Sequence, residues 1–258
     1  MPYGYVPSSE PSFGKVADAY EAYRLGYTGL VWDHLARRCG LVEGADVVDL
    51  GCGTGLSSRP LIERGANVIG IEPDPEMLAR AEATLGDRAR FQLGRAEALP
   101  LPDASADLIV SAQAAHWFEE PDAGDEILRV LRPGGYVAYV WKYPTPETPY
   151  TYLVDEIATR LTGRSLLAGA MYGIGTVSQL LRPGLDGYSR VTFEQPIAYT
   201  VERYVGHVSS RERVRQLLGP QMDTLLAELS ERISALEPSG AFIEQNLAYV
   251  VSARRSPA

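Results

Sequence analysis

The chain has 258 residues, 45% hydrophobic and 22% charged, the composition of an ordinary globular protein long enough to bury a core. Its formal charge of -9 leaves only short basic clusters, Arg37-Arg38, Arg211/Arg213/Arg215 and Arg254-Arg255, which read as solvated surface, so no nucleic-acid partner is expected. No apolar run reaches the ~18 residues that would suggest a membrane span, and residues 1–14 lack the basic start and apolar stretch of a signal peptide, so no membrane partner and a cytoplasmic location are expected.

Residues 1–14 read as a loose arm rich in Pro and Ser. Helical patterns follow over 16–23 and 28–39, ending near Gly40. Then strands and helices alternate. Asp46–Leu50 is a short apolar strand closed by a glycine-rich turn, and residues 57–64 form a helix stopped by Gly65. Residues 67–71 form a second strand. Pro75–Leu85 is a helix with proline at its start and Gly86 beyond its end. Residues 91–93 and Ala106–Ala112 are the third and fourth strands, 124–131 a helix, and 136–141 a fifth strand after the Pro133-Gly134-Gly135 turn. This alternation predicts βαβ units with a parallel sheet. Right-handed crossovers place the strand C-termini along one ligand-binding edge.

After Pro144 the rhythm changes. Residues 145–190 carry helical patterns broken by glycines, read as a lid over the strand edge. Residues 190–200 and 242–252 alternate like antiparallel strands, with helices near 201–218 and 222–236 between them. The expected fold is α/β: a Rossmann-like seven-stranded mixed sheet with an antiparallel C-terminal strand pair and a helical lid insertion. The expected division is an N-terminal helical arm over the cofactor site (1–40), a core (41–144 and 190–258) and the lid (145–189).

The strongest local signal is the run from Val47 to Gly55, VVDLGCGTG, with glycines at 51, 53 and 55. Glycine lets the chain turn sharply and lets backbone N–H groups approach a ligand, and the following helix points its positive end there. Glu72 ends the second strand, 21 residues beyond Gly51, where a carboxylate can accept from both ribose hydroxyls. A dinucleotide fingerprint would place its third glycine at 56, which is Leu56. Asp49, two residues before the first glycine, sits poorly beside a pyrophosphate and suits an ammonium and a sulfonium. Asp49 therefore argues for S-adenosylmethionine over NAD; the alternative is that it only caps the turn. Cys39 and Cys52 are the only cysteines, and neither has a Cys or His at ligand spacing, so no metal site is expected.

At these residues the sequence resembles the class I S-adenosylmethionine-dependent methyltransferases, of the type 11-like kind. VVDLGCGTG resembles their first motif, IGIEPD (69–74) the next, GRAEALPLPDASADLIVSAQAAHWF (94–118) the second motif with its following strand, and LRPGGYVAYVW (131–141) the motif before the fifth strand. FGKVADAYEAYRLGYTGL (13–30) is similar to the Tyr- and Arg-rich N-terminal segment of the trans-aconitate methyltransferase-like branch. The resemblance covers residues 13–141 well and the rest loosely.

The resemblance implies that Gly51 and Gly53 line the methionine part of S-adenosylmethionine, Glu72 holds the ribose, and Ala96 and Glu97 meet the adenine. Relatives often have Asp where this chain has Arg95. Gln113 falls where relatives contact the cofactor amino acid; it also reads as a solvated loop residue. Tyr20 and Arg24 belong to an arm that in such proteins folds over the cofactor, Arg24 pairing with its carboxylate, although Leu25 stands where proline is usual. Tyr20, Tyr23 and Tyr27 also read as half-buried packing. His116, at the predicted strand edge, is a candidate general base, or else packs against Trp117. Trp117, Phe118, Met171 and Tyr172 would shape an apolar acceptor pocket or form core.

The expected activity is methyl transfer to a small-molecule acceptor, with an oxygen acceptor favoured. Two alternatives share the cofactor motifs: a non-methylating cyclisation or rearrangement, and a module that senses the cofactor. An NAD-dependent oxidoreductase shares only the glycine turn and Glu72.

Overall fold

The computed structural model describes Tyr23, residues 25–145, 148–167, Leu180 and residues 182–257. Tyr20, Arg24, Met171 and Tyr172 lie outside the described residues.

Helix α1 (Gly29–Arg38) buries Val31, Trp32 and Leu35, one face of a helix at three- and four-residue spacing. Strand β1 (Asp46–Leu50) has four of its five residues buried, as a strand covered on both faces requires. It pairs in parallel with β2 (Asn67–Glu72) and β4 (Ala106–Ala112). Strand β3 (Arg90–Leu93) pairs with β2, and β5 (Leu131–Pro144) with β4, again in parallel. The intervening helices are α2 (Ser58–Ile62), α3 (Pro75–Leu85) and α4 (Asp122–Val130). The local signals of α3 are all used: Asp74 accepts from the N–H of Glu76 (2.9 Å) and Met77 (3.2 Å), Pro75 stands in the first turn, and Gly86 closes the end at φ 56°.

Helix α5 (Pro149–Thr162) follows β5. Then come β6 (Leu185–Glu194), β7 (Ile197–Thr200), α6 (Val201–Ser209), α7 (Glu212–Leu218), α8 (Met222–Leu236), β8 (Ala241–Glu244) and β9 (Asn246–Arg255). The main sheet has seven strands in the order β3-β2-β1-β4-β5-β9-β6, with β9 antiparallel to both neighbours. This is the mixed sheet expected from the sequence.

The C-terminal strands differ from their sequence pattern in one respect. The stretches 190–200 and 242–252 each read as one strand, and each is broken. Pro196 has no N–H to give to a ladder, so β6 stops at Glu194. Opposite it, the chain turns at Gln245 between β8 and β9. Strands β7 and β8 then pair with each other as a separate two-stranded ribbon.

Two apolar layers cover the sheet. One contains Val48, Leu50, Ile109, Ile127, Tyr139 and Trp141; the other contains Val31, Leu35, Val47, Leu61, Val140 and Val250. A third cluster joins α5 to α8 with the ribbon, through Val154, Ile157, Tyr204, Leu225, Leu229 and Phe242. Among the described residues, no helix is long and apolar enough to cross a membrane.

Candidate active site

The glycine turn leaves the C-terminal end of β1. The N–H groups of Gly51 and Cys52 both donate to the carbonyl of Ile71 at the end of β2, at 2.8 and 3.1 Å. This pins the turn beside the place where Glu72 emerges. Gly51 has φ 74°, and a Cβ built on it would lie 2.4 Å from the Cβ of Ala114, so a side chain has neither a favourable backbone nor room there. The close approach couples the end of β1 to the loop after β4.

Asp49 and Glu72 are both buried. Asp49 Oδ2 accepts from the hydroxyls of Ser57 (2.8 Å) and Ser58 (2.6 Å), at the start of α2. Its Oδ1 is buried with no hydrogen-bond donor among the described residues. Glu72 Oε2 accepts from the N–H of Gly53 (2.9 Å), and Oε1 from the N–H of Asp74 (3.1 Å). Burial pushes Asp49 up to about 6 against the opposing pull of the two serines. Burial likewise pushes Glu72 up to about 7, against its two backbone hydrogen bonds, with the charges of Asp74 and Asp49 adding to the rise. A buried carboxylate oxygen without a donor is costly, and a ligand ammonium or hydroxyl removes that cost. One oxygen of Asp49 is thus held by the start of α2, and the other has no donor among the described residues. The two serines were missed in the sequence, where the pair Ser57-Ser58 at the start of the following helix was the available signal.

Gln113 adopts φ 59°, a left-handed conformation uncommon for a residue with a side chain. Its N–H donates to Val140 O (2.9 Å) and its Nε2 to Lys142 O (2.9 Å), which ties the loop after β4 to the end of β5. The segment before α1 crosses here. Lys142 Nζ donates to Leu25 O (2.6 Å) and Gly26 O (3.2 Å). Gln195 Nε2 donates to Gly26 O (2.8 Å), and its Oε1 accepts from Thr28 N–H (3.1 Å). Tyr23 rests on Gly206 of α6, where a Cβ would meet its ring at 2.6 Å. Lys142 and Gln195 thus fix this segment, and nothing local in the sequence marks either.

Ala96 is buried in the loop after β3 and packs with one of the sheet layers. Glu97 accepts from the N–H of Glu119 through Oε1 (2.8 Å), and its other oxygen faces Arg95 Nε at 3.6 Å. Glu97 therefore joins the loop after β3 to the loop after β4. In that second loop, Ala115–Trp117 form one 3-10 turn at the sheet edge. The His116 ring lies 5.1 Å from the Trp117 ring, tilted by 41°. Surrounding protein lowers the imidazole pKa, so the ring is neutral at pH 7. The residue also keeps an exposed surface.

The structure thus gathers Asp49, Gly51, Gly53, Glu72 and Gln113 along the C-terminal edge of β1, β2 and β4, with Ala96, Glu97, His116 and Trp117 on the loops after β3 and β4. The glycine turn, the free Asp49 oxygen and the Glu72 carboxylate fit an adenosyl sulfonium with an ammonium group. Among the described residues, no cluster of His, Cys, Asp or Glu is arranged to hold a metal.

Residues 48–139 match the family described as methyltransferase domain. An uncharacterized methyltransferase of Mycobacterium tuberculosis is 42% identical over 153 residues, 58% of this chain and 59% of that protein, so the chain spans about three fifths of that relative's length. A malonyl-[acyl-carrier protein] O-methyltransferase of Pectobacterium atrosepticum is 36% identical over 131 residues, half of each chain. Among solved structures, a protein provisionally assigned as a type II methyltransferase from Anaeromyxobacter dehalogenans superposes with TM-score 0.70 at 23% identity, over 92% of this chain and 100% of that one. Residues 48–139 thus carry the likeness to the methyltransferase domain family, and the seven-stranded mixed sheet is a fold shared with that solved structure.

Proposed function

We propose that this chain transfers a methyl group from S-adenosylmethionine to a small-molecule acceptor in the cytoplasm, with a hydroxyl or carboxylate oxygen favoured. The observation that carries the reading is the buried, donor-free Oδ1 of Asp49 beside the glycine turn. The O-methyltransferase likeness over half the chain supports oxygen as the acceptor atom.

When bound, S-adenosylmethionine supplies a methyl group on a positively charged sulfur. Asp49 receives the ammonium, Gly51 and Gly53 lie along the methionine part, and Glu72 accepts from the ribose. Ala96 and Glu97 flank the adenine, and Gln113 lies at the amino-acid end. The residues mainly hold two reactants in line, and such placement can account for about 7–11 kcal/mol of a barrier. His116, neutral and at the mouth, takes the proton from a hydroxyl acceptor; a carboxylate acceptor needs no base. Trp117 and Tyr172 shape the acceptor pocket. In this reading residues 1–40, with Tyr20 and Arg24, cover the cofactor, 41–144 with β6 and β9 form the core, and the segment from 145 to the start of β6, expected as 145–189, forms a lid.

The test is incubation with S-adenosylmethionine and a panel of small acids and phenols, read by mass. A gain of one methyl on an acceptor, with S-adenosylhomocysteine formed in equal amount, is expected. A product isomeric with its acceptor would replace methyl transfer with a rearrangement on the same fold. Absence of calorimetric binding to both S-adenosylmethionine and S-adenosylhomocysteine would overturn the reading.

A further inference from the structure

The fold brings together two basic doublets that stand far apart in the sequence. Arg37-Arg38 end α1, and Arg254-Arg255 end β9. The register of the sheet places Tyr136, Arg254 and Asp186 side by side across β5, β9 and β6, with Ser252 opposite Ser189 one step along the same face. Helix α1 covers that face, through Val31 and Leu35 packed on Val140 and Val250. Where the end of the helix passes over the ends of these strands, a cavity of about 370 Å³ remains, lined by His34, Arg38, Ser189, Ser252, Arg254 and Arg255 among others. It lies by the start of β5, at the opposite edge of the sheet from the glycine turn.

The charges here are unbalanced. Among the described residues, Arg38, Arg254 and Arg255 have no ion-pair partner. Arg254 and Arg255 are held by main-chain oxygens instead: Arg254 Nε donates to Gly134 O (2.9 Å), and Arg255 Nη1 to Leu131 O. Arg254 also lies over the Tyr136 ring, 5.6 Å from its centre. The one carboxylate of the lining, Asp186, accepts from the hydroxyl of Ser256. Burial lowers the pKa of His34, and the charges of Arg37 and Arg38 lower it further, which marks a local positive field in a chain of net charge -9. Guanidiniums fixed by neutral acceptors keep N–H groups for a second partner, and hydroxyls can supplement them. The volume is within the range of small-molecule pockets.

We propose that this cavity is a second binding site, remote from the cofactor, for a small multiply charged anion bearing phosphate or carboxylate groups, held by Arg38 and Arg254 with Ser189 and Ser252.

The test is calorimetric titration of the whole protein, saturated with S-adenosylhomocysteine so that the glycine turn is blocked. Inorganic pyrophosphate is the probe in one arm and citrate in the other, at low ionic strength. Saturable binding at one site is expected, weakening as salt is added. Arg38→Ala combined with Arg254→Ala should weaken it at least tenfold, whereas Arg215→Ala, on exposed α7, should not. Ser189→Glu places a carboxylate in the cavity while removing no arginine, and should weaken binding to the same extent even if the arginine variant fails to fold. Binding of pyrophosphate alone assigns a phosphate ligand, and of citrate alone a carboxylate. No saturable binding of either probe, or affinity unchanged by Ser189→Glu, would overturn the proposal.

Discussion

The two ends of this molecule each bury carboxylates, and they treat them differently. At the glycine turn, Asp49 has one oxygen held by Ser57 and Ser58 and the other without a donor. In the helical unit, Glu244 on β8 is equally buried, but Oε1 accepts from Tyr204 (3.1 Å) and Thr151 (3.3 Å), and Oε2 from Asn246 Nδ2 (3.3 Å). Burial raises the pKa of both groups, so the shift alone does not separate a ligand site from a structural joint. The two groups differ in their count of donors. In the proposed reading the unpaired Asp49 oxygen receives a ligand, whereas Glu244, satisfied by its own chain, holds that chain together.

The largest effect that would sharpen this contrast concerns turnover. If His116 is the base for a hydroxyl acceptor, His116→Ala should reduce kcat by about 10²–10⁴-fold. It should leave the affinity for S-adenosylhomocysteine and the melting temperature nearly unchanged. Equal losses of kcat and cofactor affinity would remove His116 from the acceptor side of the site.

Gly51→Ala comes next. The new Cβ meets Ala114 in a left-handed backbone, so calorimetry should show S-adenosylhomocysteine affinity down by about a hundredfold, with stability lowered by about 2–4 kcal/mol. Adding Ala114→Gly should recover part of both losses, because it removes the collision and leaves only the backbone strain.

The paired test of the two acids follows. Asp49→Asn keeps a partner for the serines and deletes the charge, so S-adenosylhomocysteine should bind about 10–100-fold more weakly while the free protein melts no lower. Glu244→Gln should do the reverse, lowering the melting temperature by the equivalent of about 1–3 kcal/mol with affinity unchanged. If both variants lost affinity alike, the donor count would fail as a discriminator.

The smallest effect is on pH. Asp49 and Glu72 titrate higher in the folded chain, near 6 and 7, than when unfolded. Their protonation therefore supports the free fold below the ordinary carboxylate range, and that support is lost as pH rises through 6 to 7. In the proposed reading the cofactor, by contrast, needs them ionised. Affinity for S-adenosylmethionine should fall severalfold between pH 8 and pH 5.5, and binding near pH 6.5 should release protons, seen as a dependence of the calorimetric heat on the buffer. A flat pH profile would show that the two acids are already ionised in the free protein.

Much of the stretch from β1 to β5 was legible because its signals are local. Asp46–Leu50, Pro75–Leu85 and Ala106–Ala112 have the expected bounds, since apolar runs, a capping aspartate and a terminal glycine act within a few residues. The glycine spacing and Asp49 carried the expectation of S-adenosylmethionine from the sequence alone. The C-terminal region was less legible. The alternation in 190–200 and 242–252 marks strands, but not that each divides between two sheets. Pro196 hints at one break, whereas the turn at Gln245 depends on which strand lies opposite.

The sequence by itself determined the order of strands and helices, the glycine turn and the acidic residue after the second strand, because each rests on backbone preference or on contacts close along the chain. Only the tertiary structure decided that Ser57 and Ser58 take one oxygen of Asp49 and leave the other. It alone decided that Gln195 and Lys142 clasp the segment before α1, and that Arg38 shares a cavity with the distant pair Arg254-Arg255. Those outcomes depend on which strands become neighbours, and a one-dimensional pattern does not carry that.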